Sequence, residues 1–291
     1  FGWRWIFLGL VPFVLAAAVL ALPGLTGIRP VDGEPARSRL RDAILTATGV
    51  GLLLAGLTAT NALGLVGVLA GVVIAVPPLR RLVPAGTLAA RPGLPAAILC
   101  RGLLTFLFFG ADSYVPLAIQ DVRGQSPALT GLALTFCAVL CSAGSWLQAH
   151  LSETVAPRLL VRTGTAIVVA GVAGIIVTLQ AGVPVWLFVV AWAVGGIGMG
   201  LAYGPITLLV LRDAPAGQEG AASASLTLFD TLGIAVGAGA AGAVIAASEA
   251  WDRSLAGGVG IAMALAAAAG VLLLALTPRL GVRPAAVPAA G

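Results

Sequence analysis

The chain has 291 residues, of which 59% are hydrophobic and 9% are charged, and its formal net charge is +5. A soluble domain carries about 25% charged residues, so this chain lacks the polar side chains that a water-facing surface requires. The composition excludes an ordinary soluble protein and predicts a membrane protein. All 16 basic residues are Arg, scattered between apolar runs, which argues against a nucleic-acid-binding surface.

Nine apolar runs are long enough to cross a bilayer, for which a helix needs about 20 residues. Strands of a membrane barrel alternate apolar and polar residues, and these continuous runs do not, so the predicted fold class is an all-α membrane protein with nine transmembrane helices. The second and third spans nearly meet at Asn61, which predicts a tight hairpin. The predicted spans are residues 5–22, 43–60, 62–79, 96–119, 128–149, 164–181, 184–210, 222–247 and 255–277.

The Arg residues orient these spans. Loops on one side hold twelve Arg, whereas loops on the other side hold three, Arg4, Arg123 and Arg253. Cytoplasmic loops carry the excess of basic residues, so the prediction is a multi-pass protein of the cell membrane with a cytoplasmic C-terminus and residue 1 on the outer side. A protein with a cytoplasmic N-terminus would then need an odd number of helices before residue 1.

Two polar or Pro/Gly-rich stretches divide the chain. The predicted segments are one helix (1–22), a cytoplasmic linker (23–42), a helical hairpin (43–79), a second cytoplasmic linker (80–95), six spans (96–277) and a cytoplasmic tail (278–291). The three Cys residues lie inside apolar runs, so we expect neither a disulfide framework nor a metal site, and no cofactor.

Three charged residues lie well inside spans, where an ionisable group costs at least about 2.5–3.5 kcal/mol and has a functional role by default. Arg101 and Asp112 are on the fourth span, on nearly the same face and roughly 16 Å apart along the axis, so they can line one cavity without pairing. Two structural alternatives stay open. Asp112 can be hydrated near the outer end of its span, and Arg101 can extend its side chain to the cytoplasmic surface.

Asp230 lies in the eighth span beside Thr227 and Thr231, with no cation on that span. It is predicted to be neutral or paired with another helix, as a proton carrier or an interhelical lock. The alternative is a protonated, hydrogen-bonded Asp at a packing interface. Glycines recur every four residues at 196, 200 and 204 and again at 233 and 237, which favours close helix packing over surfaces that slide during transport.

Several segments resemble the major facilitator superfamily, and within it the fourteen-helix drug:proton antiporters. The residues that carry the resemblance are Gly2-Trp3-Arg4-Trp5-Ile6-Phe7-Leu8 with Val11-Pro12, then Pro116, Gln120, Gly124, Ser126, Pro127 and Gly131 within 110–131, and finally residues 196–201, Gly217, 221–223, Leu232-Gly233 and Gly237. Asp230 departs from the family pattern, which commonly has Arg or Gln at that position.

The resemblance implies helices six to fourteen: the last helix of an N-terminal bundle, an inserted hairpin and a complete six-helix C-terminal bundle, with five helices missing. It implies proton-coupled efflux of amphipathic compounds by alternating access. No enzymatic activity is expected, because an intramembrane enzyme would require a His- or carboxylate-rich catalytic cluster that the sequence lacks. The expected partners are a small-molecule substrate, protons, the bilayer and the missing helices.

Candidate residues are Asp112, Arg101 and Asp230 for proton coupling or the substrate path, and Phe109, Tyr114 and Tyr203 for the cavity lining. A facilitator of sugars or organic acids and a non-transporting membrane scaffold stay open as alternatives.

Overall fold

The structure is a computed structural model that describes residues 9, 11–17, 19–20, 36–59 and 62–281. The chain divides into two compact units, residues 1–36 and 37–291. In the first unit the described residues 9, 11–17 and 19–20 are helical and lie within the first predicted span. The remainder of that span, Asn61 and the tail from residue 282 lie outside the described residues.

Eight helices in the described part of the chain are long and apolar enough to cross a membrane, and every regular element described there is helical. The prediction of an all-α protein is confirmed, and these eight helices correspond to the second to ninth predicted spans. They are α1 (Ala36–Thr58), α2 (Ala62–Leu82), α3 (Leu94–Asp112), α4 (Pro127–Leu151), α5 (Pro157–Thr178), α6 (Leu187–Asp213), α7 (Glu219–Ala250) and α8 (Leu255–Leu276).

Several helices extend beyond the apolar runs. Helix α1 begins at Ala36 rather than at residue 43, α2 continues to Leu82, and α5 begins at Pro157 rather than at residue 164. Hydropathy detects only the part of a helix that lies in hydrocarbon, whereas polar residues such as Arg continue a helix well in water. Pro157 lies in the first turn of α5, where its missing N–H removes no hydrogen bond.

The fourth predicted span, 96–119, is confirmed as one membrane-crossing segment, Leu94–Val122, but its helix is interrupted. Helix α3 ends at Asp112 and is followed by a short turn, Val115–Leu117, and a π-helical segment, Ala118–Val122. The cause is Pro116, because proline lacks an N–H and its ring clashes with the carbonyl group four residues earlier, here that of Asp112. The break leaves Asp112 as the last residue of α3.

Glycines bring the helices into backbone contact. A Cβ atom on Gly196 or Gly200 of α6 would collide with the carbonyl oxygen of Cys137 or Cys141 on α4. A Cβ on Gly237 of α7 would lie 2.8 Å from a carbonyl oxygen of α3. Small residues permit such close approach in lipid, where no hydrophobic effect drives one helix onto another. The predicted packing role of these glycines is therefore confirmed.

Helices α1 and α2 also pack through small residues. A Cβ on Gly49 of α1 would lie 2.6 Å from the backbone nitrogen of Ala75 on α2. The two helices are joined further by an ion pair in which Nη1 of Arg81 lies 3.7 Å from the carboxylate of Asp42.

Arg123 follows the π-helical segment and closes the end of α5. Its Nη1 donates to the carbonyl oxygens of Thr178 and, at 2.5 Å, Gln180, and its Nη2 donates to that of Val183 at 2.8 Å. Helices end with carbonyl groups that lack an intrahelical partner, and a basic side chain satisfies them well. This contact gives Arg123 a structural role outside the candidate site.

Candidate functional site

Arg101 lies at the junction of α3, α6 and α7, with 2% of its side chain exposed. Its Nη2 donates a hydrogen bond to the hydroxyl group of Thr207 on α6, and its Nε lies 3.7 Å from Oδ1 of Asp230 on α7. Its guanidinium carbon lies 3.4 Å from the centre of the Tyr203 ring, a cation–π contact. The alternative in which Arg101 extends to the cytoplasmic surface is therefore wrong, because its charge is held inside the bundle.

Asp230 is paired with a residue of another helix, as one of the two sequence interpretations proposed. Its Oδ2 accepts a hydrogen bond from the Tyr203 hydroxyl at 3.0 Å, and 22% of its side chain is exposed. The backbone of α7 is bound to α3 at the same residue, because the Thr105 hydroxyl of α3 donates to the main-chain oxygen of Asp230 at 3.1 Å. The structure thus brings three of the candidate residues, Arg101, Tyr203 and Asp230, into one cluster.

Asp112 forms a separate site at the broken end of α3. Its Oδ1 accepts a hydrogen bond from the indole nitrogen of Trp192 at 2.8 Å, and Trp192 is fully buried against Phe108, with the two rings stacked 5.0 Å apart. The Asp112 side chain is half-buried. Among the described residues, no basic side chain lies within ion-pair distance of it. Asp112 is therefore a carboxylate in the membrane-spanning region that a neutral donor holds in place.

The other two candidate residues pack within the bundle. The Tyr114 hydroxyl donates to the carbonyl oxygen of Ala238 on α7 at 2.9 Å, so its polar end is bound to another helix. Phe109 is half-buried and contacts Phe108 edge to face at 5.2 Å. Both residues flank Asp112 along the chain.

Sequence reasoning missed Trp192 and Thr207, which supply the polar contacts of the two sites. Trp192 had a detectable signal, since Trp in membrane proteins is enriched at the interfaces and this residue lies six positions inside its helix. A buried indole N–H usually requires an acceptor. Thr207 had no comparable signal, because the hydroxyl group of a Thr in a helix is ordinarily satisfied by its own backbone.

Comparisons with known proteins agree with this architecture. The family model described as Major Facilitator Superfamily matches residues 1–238 and 97–291. The Methylenomycin A resistance protein of Streptomyces coelicolor is 28% identical over 166 residues, which are 57% of this chain and 34% of that protein. A Triacylglyceride transporter of Mycolicibacterium smegmatis is 29% identical over 268 residues, which are 83% of this chain and 47% of the relative.

A third relative, named "Probable multidrug-efflux transporter" in Mycobacterium tuberculosis, is 28% identical over 166 residues, covering 55% of this chain and 35% of its own length. The chain thus spans less than half the length of these three relatives. The two matched ranges together cover residues 1–291, and the apolar helices agree with a multi-pass membrane protein. This chain belongs to the Major Facilitator Superfamily.

Proposed function

We propose that the chain is part of a proton-coupled transporter that exports amphipathic organic compounds across the cell membrane by alternating access. Its partners would be a small-molecule substrate, protons, the lipid bilayer and the further helices of the same protein. Relatives named for resistance and multidrug efflux support this class of substrate. The order of one helix, a hairpin and six further helices supports a C-terminal portion of a fourteen-helix transporter, with the segment boundaries predicted from the sequence.

We also retain the proposed orientation, with the C-terminus in the cytoplasm. Two loops assigned to the cytoplasm, before α3 and after α8, contact each other, since the backbone N–H of Gly93 donates to the carbonyl oxygen of Arg279 at 3.0 Å. The side chain of Arg279 donates to the carbonyl oxygen of Ala90, also at 3.0 Å. Loops that touch lie on the same side of a membrane, which supports the assignment of both loops to the side that carries most of the Arg residues.

The observation that carries the proposal is the Asp112 carboxylate in the membrane-spanning bundle, held by the Trp192 indole and not by a cation. A carboxylate without a basic partner can gain and lose a proton without leaving another charge unpaired. Asp230 differs, because its protonation removes the counter-charge of the buried Arg101. We therefore assign exchange of the coupling proton to Asp112 and not to Asp230.

The test is export by cells that make the full-length protein, measured for a cationic, a neutral and an anionic amphipathic compound with and without a protonophore. We expect the wild-type protein to export at least one of the three, and the protonophore to abolish export. Asp112→Asn should lower that export by about 10-fold or more, within the range of typical coupling free energies. Asp112→Glu should retain part of the activity, because it keeps an exchangeable proton.

Asp121→Asn is the matched control, because Asp121 is an exposed carboxylate of the adjoining π-helical segment, and it should transport like the wild-type protein. All variants must be compared at equal amounts in the membrane. Unchanged export by Asp112→Asn would overturn the assignment of the proton to this residue. Absence of export of all three compounds by the wild-type protein would contradict the proposed function as a whole.

A further inference from the structure

The buried guanidinium of Arg101 carries N–H groups that the described residues leave without an acceptor. Its Nε and Nη1 are both buried and make no hydrogen bond to any described residue, and the same is true of Oδ1 of Asp230. The separation of 3.7 Å between Nε and this oxygen brings the charges together but is too long for a hydrogen bond. Since buried polar groups are nearly always hydrogen-bonded, unused donors on a charged group mark a place where an acceptor can bind.

The charges of the cluster identify the kind of acceptor. Arg101 keeps its positive charge under all physiological conditions, whereas Asp230 can accept a proton and become neutral. With both residues ionised the pair has no net charge, and with Asp230 protonated it carries one positive charge. The ligand that restores neutrality therefore carries a single negative charge on oxygen atoms that accept hydrogen bonds, as a carboxylate does.

The surroundings favour an amphipathic anion. Tyr203, whose ring contacts the guanidinium, keeps 37% of its surface exposed, so an aromatic face lies beside the charge and can contact the apolar part of a ligand. A cationic compound would bind poorly here. To pair with Asp230, it would have to displace Arg101. The Arg101 guanidinium, with 2% of its side chain exposed, would then be buried without a counter-charge, which is costly.

We propose that Arg101 binds the carboxylate of a transported amphipathic anion, and that Asp230 takes up one proton from solution as this anion becomes the new counter-ion of Arg101. The inference rests on the proposed transport function and names the chemical class of its substrate. No covalent bond forms or breaks, because the proton adds to an oxygen of Asp230 and the anion replaces that carboxylate beside Nε and Nη1. Anion and proton together carry no net charge, so the membrane potential does not act on their joint binding.

The test is calorimetric binding of 2-naphthoate to the purified full-length protein between pH 6 and pH 8. The probe stays ionised over this range, because ordinary carboxylic acids titrate near about pH 4. In buffers with different ionisation enthalpies, the wild-type protein should take up protons as the anion binds, and its affinity for 2-naphthoate should rise as the pH falls. The neutral analogue 2-naphthalenemethanol should show neither effect.

Two variants separate the roles of the pair. Asp230→Asn imitates the protonated carboxyl group, so it should bind 2-naphthoate without proton uptake and with an affinity independent of pH. The double variant Arg101→Gln/Asp230→Asn contains no buried charge at this junction. Its affinity for 2-naphthoate should be about 10-fold or more below that of Asp230→Asn, because the charged donor Arg101 is gone. Arg253→Gln removes an exposed Arg and should bind like the wild-type protein, which controls for non-specific attraction of the anion.

Equal affinities of the double variant and Asp230→Asn would overturn the assignment of Arg101. Binding to the wild-type protein without proton uptake would overturn the role of Asp230, and no binding of 2-naphthoate would overturn the whole inference. These measurements on the wild-type protein do not depend on whether either variant folds. Export of a cationic or neutral compound but not of an anionic one would contradict this inference while leaving the proposed function intact.

Discussion

Replacing Asp230 by Asn should destabilise the folded bundle by about 3–5 kcal/mol, the range measured when one partner of a buried ion pair is removed. The replacement leaves the Arg101 guanidinium, with 2% of its side chain exposed, without a counter-charge. Arg101→Gln should destabilise the bundle less. In that variant the carboxyl group of Asp230 can be neutral in the folded protein and keeps its hydrogen bond with the Tyr203 hydroxyl group. Arg101, by contrast, cannot lose its charge.

Combining the two substitutions should restore most of the lost stability, because neither buried charge remains. The measurement is thermal unfolding of the purified full-length protein, followed by labelling of the buried thiols of Cys100 and Cys137 with a fluorogenic reagent. The coupling free energy then comes from the wild-type protein, the two single variants and the double variant. Additive losses would show that the two charges do not interact in the folded protein.

Arg81 and Asp42 provide a matched control. This pair has the same nitrogen–oxygen separation of 3.7 Å, but 68% of the Arg81 side chain is exposed, against 14% of that of Asp42. An ion pair with an exposed, hydrated Arg contributes roughly 0–1 kcal/mol, so Arg81→Gln should lie near the wild-type stability. The contrast between Arg81→Gln and Arg101→Gln isolates the burial of the Arg from the distance within the pair.

The membrane-spanning architecture could be predicted from the sequence because the length of an apolar run is a local property. The ends of the helices could not, as α1 and α5 show, because polar residues continue a helix where hydropathy no longer reports it. The break after Asp112 did have a local signal in Pro116. A count of apolar residues does not register it, since proline changes the hydrogen bonding of a helix far more than its hydropathy.

The contacts of the candidate site depend on which helices become neighbours. Position within the spans identified Arg101, Asp112 and Asp230 as unusual, and the lack of a cation on its own span predicted that Asp230 is either neutral or paired with another helix. Nothing local specified that partner, because Arg101 and Asp230 are joined by the packing of α3 against α7. The Trp192 indole reaches Asp112 in the same way, from a helix 80 residues further along the chain.

Replacing Gly233 by Ala should destabilise the bundle by about 1–3 kcal/mol, the usual effect of overpacking a well-packed interior. The added methyl group would collide with the Gly102 carbonyl oxygen and the Thr105 hydroxyl on α3, and a backbone atom cannot move aside without moving its helix. Gly233 lies one turn after Asp230, so separating α7 from α3 should also weaken the ion pair with Arg101. The coupling free energy of Arg101 and Asp230 should therefore be smaller in the Gly233→Ala background.

Gly131→Ala is the matched control for this substitution, because a Cβ at Gly131 of α4 would meet no atom within 4 Å. Alanine is favoured over glycine within a helix by roughly 0.5–1 kcal/mol, so this variant should match or slightly exceed the wild-type stability in the thiol-labelling assay. A loss of stability as large as that of Gly233→Ala would point to a general intolerance of substituted glycines. Wild-type stability of Gly233→Ala would contradict the backbone contact between α3 and α7 on which the geometry of the Arg101 cluster depends.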